Sequence, residues 1–261
     1  QLVSDRISQL LRTERAGLRR QVGEALRSQV PGPEENLSAG VRVASALFAV
    51  TDDAGFARLA RTAAVKAAAA FAAGDLQHGA SWGAALLAFA RSRDRKETVR
   101  REMEAALRPE ILDALIPAVA AHPDPPPAAA SLVTLFALDQ VVEHLAAEED
   151  MGKRKQLVAF LTAAARVRPG PVIRRLSDPR WHLVRNLVDI LSHSGRVEAV
   201  AGLREACRHA DHRVRREAVR ALFLLDRDEA AAATLRALKD PEAALRLQAL
   251  SLLRHCPGSA V

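Results

Sequence analysis

Tyrosine does not occur in these 261 residues, and aromatic side chains of all kinds make up only 3% of them. Sheets draw on aromatic and β-branched runs, so this scarcity argues against a β or α/β fold. It also excludes the stacking mode of single-stranded nucleic acid binding, which needs aromatic platforms. The two cysteines, Cys207 and Cys256, form no C-x-x-C pair and no disulfide framework, which suits a reducing, cytoplasmic setting. No apolar run reaches membrane-spanning length. The longest Ala-rich stretch, Thr62 to Gly74, contains Lys66 and falls short of the roughly 20 residues a span requires. No secretory signal opens the sequence, and its first residue is Gln rather than Met, as expected of a chain whose natural start lies upstream. Phosphate loops, dinucleotide fingerprints and H-E-x-x-H are all missing, so no cofactor is expected.

Alanine and leucine dominate instead. Both lose little entropy in a helix, and small side chains let helices approach closely, so the expected fold class is all-α. The net charge is +7, and 33 of the 38 basic residues are Arg. Their distribution is uneven: residues 151–220 hold 16 Lys/Arg against 6 Asp/Glu. Glu148, Glu149 and Asp150 precede this belt, and Asp226, Asp228 and Glu229 follow it. A belt of this kind suits an acidic partner, whereas the plain alternative is a solvated face of Arg stems over Ala-rich helices.

Residues 2–28 carry an amphipathic stripe of Val3, Ile7, Leu10, Leu11, Leu18, Val22, Ala25 and Leu26, which predicts one long helix ended by Pro31-Gly32-Pro33. Further helices are expected over about 36–50, 53–73, 80–92 and 94–120. The run His122-Pro123-Asp124-Pro125-Pro126-Pro127 bars helical conformation and marks a boundary. The expected organisation is therefore an irregular helical region over 1–122, a Pro-rich boundary at 123–127 and regular helix pairs over 128–261. Three starts repeat within the last region: Asp178-Pro179 to Val184-Arg185, Asp211 to Val214-Arg215, and Asp240-Pro241 to Leu245-Arg246. The arginines fall 30 and 31 residues apart, a period typical of stacked helix pairs that bury a shared apolar interior. Lys155-Gln156-Leu157-Val158 precedes Arg185-Asn186-Leu187-Val188 by 30 residues in the same register. Asp178, Asp211 and Asp240 are N-cap candidates, with Pro179 and Pro241 suited to the first helical position.

Residues 178–255 resemble HEAT repeats of the short bacterial type. Asp178-Pro179-Arg180-Trp181-His182-Leu183-Val184-Arg185-Asn186 carries one unit start, and Asp211-His212-Arg213-Val214-Arg215-Arg216-Glu217-Ala218-Val219-Arg220-Ala221-Leu222 another. The resemblance weakens over 128–177. It implies a right-handed α-solenoid used as a protein-interaction surface. It also implies an Asp/Arg ladder between units, formed by Asp178, Asp211 and Asp240 with Arg185, Arg215 and Arg246.

Candidate chemistry is sparse. Gly79-Ala80-Ser81-Trp82-Gly83 fits G-x-S-x-G, but a nucleophile elbow needs a preceding strand, and the surroundings predict a Gly-loosened turn between helices. His182, His193, His209 and His212 share no helical metal spacing, so no metal site is expected. Trp181, at a unit edge, is either an interface anchor or a cover for the preceding pair. With Arg185, Arg215 and Arg246 assigned to the ladder, Arg180, Arg213, Arg216 and Arg220 join Trp181 as the candidate partner-binding residues. The expected function is a non-catalytic scaffold that takes an acidic protein segment on the belt. The alternative is a solenoid contacting a nucleic-acid duplex backbone, which needs only cations and amide donors. The last helix, over 242–255, lacks a partner, so Leu245, Leu250 and Leu253 are expected to meet further residues or a second copy of the chain.

Overall fold

The computed structural model describes residues 39–90 and 92–253, and the expected helix over 2–28 lies outside them. Among the described residues there is no strand, and the chain is all-α. It divides into two compact units, Gln1–Leu132 and Val133–Val261.

The first unit contains α1 (Ala39–Val50), α2 (Asp53–Ala72), α3 (Leu76–Phe89), α4 (Arg93–Ala106), α5 (Pro109–Ala121) and the start of α6 (Pro127–Phe136). Its helix starts are set by short polar side chains. Asp52 accepts from Gly55 N at 2.7 Å, Asp75 from His78 N at 2.9 Å and Ser92 from Arg95 N at 3.1 Å, each satisfying an otherwise orphaned amide. The central helix is α2, packed against α3, α4 and α5. Its buried face is Ala60, Ala63, Ala64 and Ala67 with Phe56 and Phe71, so neighbouring helices come close to its backbone. The expected continuous helix over 94–120 is two helices. Pro109 disfavours the helical conformation at the residue before it, and Arg108 is extended at φ −64°, ψ 158°.

The second unit is regular. It comprises α7 (Leu138–Ala147), α8 (Met151–Val167), α9 (Gly170–Arg174), α10 (Trp181–Ser192), α11 (Val200–Ala206), α12 (His212–Leu225), α13 (Arg227–Ala237) and α14 (Ala243–Leu253). Single 3₁₀ turns, Arg175–Ser177 and Val197–Ala199, extend α9 and precede α11. The long helices α8, α10, α12 and α14 pack in sequence, each on the next, and the shorter α11 and α13 pack against α12 and on each other. Leu157, Leu187, Ala218 and Ala249 recur at one buried position along this layer; Leu161, Leu191 and Leu222 recur at another. Their spacings are the 30- and 31-residue period of the sequence. Burying a leucine such as Leu187 contributes about 1.5–3 kcal/mol, and no helix pair could hide that stripe without its neighbour. Here the period becomes stability.

Candidate functional site

The hydrogen bonds that open each long helix give a common origin. Arg154 N donates to Asp150 O, Val184 N to Arg180 O, Arg215 N to Asp211 O, and Arg246 N to Glu242 O, at 2.9–3.2 Å. Arg154, Val184, Arg215 and Arg246 are therefore equivalent. A helical side chain leans toward the N-terminus, so an arginine one turn in reaches back over its own start. Arg154 donates to Glu148 O, Arg215 to His209 and Ala210 O, and Arg246 to Asp240 and Pro241 O. Arg185 cannot do this. It sits one residue later than its supposed counterparts, about 100° further round the helix, and is exposed.

The expected ladder is accordingly incomplete. Arg215 does bridge units, with Nε and Nη2 donating to the two oxygens of Asp240 at 2.8 and 2.7 Å. Asp211 is instead held by Arg213, two residues along, and Asp178 by Arg180 and Arg175. These guanidinium groups hold Asp178, Asp211 and Asp240 below the usual carboxylate range, with desolvation opposing them. Only Asp211 caps its helix as expected, accepting from Arg213 N in the first turn; Asp178 and Asp240 accept from Arg180 N and Glu242 N, which precede the helices, and the residue at the N-cap of α10 is Arg180. Helices α10 and α14 begin at Trp181 and Ala243, so Pro179 and Pro241 stand in the turn and not at the first helical position.

Of the five candidate partner-binding residues, four are engaged within the fold. Arg180 donates to both oxygens of Glu143 on α7 as well as to Asp178. Arg213 lies with its guanidinium carbon 3.3 Å from the centroid of the Trp181 ring while bonding Asp211. Trp181 is thus covered by the following unit, a cation–π brace across the repeat. Arg220 is 3.6 Å from Glu217. Arg216 alone keeps a side chain without an ion pair or hydrogen bond.

That contrast dissolves most of the basic belt. Nine of its cations face carboxylates, from Arg174 with Asp139 to Arg220 with Glu217, and Arg154, Arg166 and Arg168 bond main-chain carbonyls. Among the described residues of the belt, Lys153, Lys155, Arg185 and Arg216 have side chains with neither. Lys155, Arg185 and Arg216 occupy the same position on α8, α10 and α12, and all three are exposed. They form one row across adjacent helices. Beside it runs a second row of polar groups, Gln156, Asn186, Glu217 and Gln248. Arg185 and Asn186 line a groove of about 280 Å³ with His182, Arg154 and Glu148. Arg216, Glu217 and Arg220 line another of about 440 Å³ with Ala244, Gln248 and Leu252. Sequence reasoning passed over Arg185 because the Val-Arg dipeptide looked in phase; only the burial of Leu187 and Ala218 separates the two arginines.

The remaining candidates have structural places. Ser81 lies inside α3 and not in a turn, donating to Gln77 O at 2.8 Å. Gly79 and Gly83 are there because an added Cβ would fall 2.4 Å from Phe71 and 2.4 Å from Leu132. Among the described residues no group of three or more His, Cys, Asp or Glu side chains converges as metal ligands would, and no single helix is long and apolar enough to cross a membrane. Of the leucines expected at an open C-terminal end, Leu245 is buried, while Leu250 is exposed together with Leu247.

Helix pairs stacked at a 30–31-residue period, joined by Asp/Arg braces, define a helical-repeat protein. Residues 170–254 match the family model of HEAT repeats, consistent with a HEAT-like repeat segment. No curated protein matches the chain. Two crystal structures of engineered proteins from the Northeast Structural Genomics Consortium are similar to it, each at 18% identity. One alignment covers 84% of this chain and 97% of that protein, with a TM-score of 0.34. The other covers 82% and 67%, with a TM-score of 0.35.

Proposed function

We propose that this chain is a non-catalytic scaffold that holds an acidic protein segment on the layer formed by α8, α10 and α12. HEAT repeats commonly serve as protein-interaction surfaces, and the observation that carries this reading is the row Lys155, Arg185 and Arg216. These three cations recur at one helical position while most of their neighbours are committed to the fold. A free, exposed cation stabilises nothing inside the unit, so its interaction energy is available to a ligand.

A duplex backbone is the poorer match. Asp189 and Glu217 stand near the arginines and repel either anion, but a flexible segment can set its side chains on the cations and away from these carboxylates, whereas duplex phosphates are fixed in spacing. Three phosphate contacts would give a salt slope of only about −2.7. The test is binding of a labelled polyglutamate 20-mer to the intact chain and to the Lys155→Ala, Arg185→Ala, Arg216→Ala triple variant. The variant should lose binding, while Arg196→Ala with Arg208→Ala, which removes paired cations, should retain it. Equal affinity of the triple variant and the parent would refute the assignment.

A further inference from the structure

The geometry points to a more specific ligand for the same row: a segment in polyproline II conformation with an acidic side chain at every third residue. This inference rests on the scaffold reading above and adds to it the shape and spacing of the partner. Helices packed side by side lie about 8–10 Å apart, so equivalent positions on α8, α10 and α12 repeat at that interval across the layer. Lys155, Arg185 and Arg216 therefore present three charges in a line at a step of about 8–10 Å. A ligand that answers all three must repeat its own charge at the same step, on one side.

Few backbone conformations do so. A β-strand alternates sides, so its same-side groups recur every two residues, about 6.6 Å apart, too short for the row. An α-helix laid across the layer offers same-side groups at about 5–6 Å after one turn and about 10.5 Å after two, one short of the row's step and the other past it. Polyproline II has three residues per turn and rises about 3.1 Å per residue, which returns every third side chain to the same face after about 9.3 Å. Its backbone makes no internal hydrogen bonds and needs outside partners. The second row supplies them. Gln156 and Asn186 are positioned one residue beyond Lys155 and Arg185, and their side-chain amides carry no hydrogen bond within the described residues. An amide both donates and accepts, so each can meet a main-chain N–H or C=O between two acidic positions. Gln248, in the same row on α14, is already committed to Arg216 O at 3.0 Å, which sets the limit of the site at α12.

The test compares three blocked peptides of equal charge on the intact chain by fluorescence anisotropy at low salt. The first is three repeats of Glu-Pro-Pro; the second has three consecutive Glu flanked by three Pro on each side; the third has the composition of the first with Gly for Pro. The spaced peptide should bind about tenfold more tightly than the clustered one, and each of Lys155→Ala, Arg185→Ala and Arg216→Ala should weaken it about threefold. Removing the preformed polyproline II conformation with Gly should weaken it as well. Asn186→Ala should weaken the spaced peptide and leave the clustered one unchanged. Lys155, Arg185 and Arg216 are exposed and, like the half-buried Asn186, unpartnered, so unchanged thermal melts are expected and losses of binding report on the surface. If spaced and clustered peptides bind equally and both respond to the triple variant, the acidic reading stands and the spacing is wrong. If neither peptide binds, both are wrong. If duplex DNA binds instead, with loss in the triple variant, the surface is a nucleic-acid site and both are overturned.

Discussion

Replacing Arg215 by Ala should destabilise the C-terminal unit by about 3 kcal/mol, whereas replacing Arg185 by Ala should change it by less than about 0.5 kcal/mol. The two residues occupy the same place in the sequence motif, so the difference tests the phase assignment directly. Arg215 donates twice to Asp240 and to the carbonyls of His209 and Ala210. Its side chain and that of Asp240 are only 13% and 11% exposed. Without the guanidinium, Asp240 keeps the Glu242 amide alone. A stranded, fully buried charge costs about 3–5 kcal/mol, and the residual exposure here places the loss at the lower end. In urea denaturation followed by circular dichroism, with a slope near 2 kcal/mol per molar, the relevant midpoint should fall by about 1.5 M. A double-mutant cycle with Asp240→Ala should return a coupling of about 1–3 kcal/mol. Equal losses for Arg185→Ala and Arg215→Ala would refute the one-residue slip, and strict additivity would refute the bridge.

Acid should act through the same carboxylates. Asp178, Asp211 and Asp240 have folded-state values below their unfolded value of about 3.9. Their contribution is therefore complete above about pH 4 and is lost as the pH falls toward the folded values. Melting temperatures should be level from pH 7 to about 5 and drop below about 4, less steeply in Asp178→Asn; a decline beginning near pH 6.5 would point to histidines instead. Gly79→Ala should cost about 1–3 kcal/mol, because the new methyl meets the Phe71 ring at 2.4 Å, while Gly170→Ala, with nothing nearer than 3.9 Å, should be harmless; matching melts would count against the close packing of α2 on α3. Burial pushes the Cys207 thiol up to about 11, so peptide mass spectrometry should show it alkylated far more slowly at pH 8 in the native chain than in urea. Rapid native labelling would contradict that burial.

Much of the second unit was legible in the sequence because its signals are local. Pro-Gly and Asp punctuation marked the turns, and the leucine period marked the buried stripe from Leu157 to Leu222. The helix break at Leu107–Arg108 was legible too, through Pro109, but the apolar pattern on both sides masked it. The candidate site was harder. Whether an arginine is spent on the fold depends on which way its helix is turned, and Val184-Arg185 has the same letters as Val214-Arg215 in a different rotation. Arg180, Arg213 and Trp181 looked available, although Asp178 and Asp211 stand two residues from the arginines, because their further partners lie in other units: Glu143 on α7 for Arg180, and the Trp181–Arg213 pair for the other two. No single repeat contains that information.

The offset of Arg185 also bears on how such arrays diversify. The buried positions fix which way each helix is turned, so an arginine three residues before the recurring one braces the connector, as Arg215 does before Ala218. One placed two residues before it, as Arg185 is before Leu187, faces outward. Moving an arginine by one position inside a helix thus edits the chemistry displayed to a ligand, repeat by repeat, without requiring a new interior.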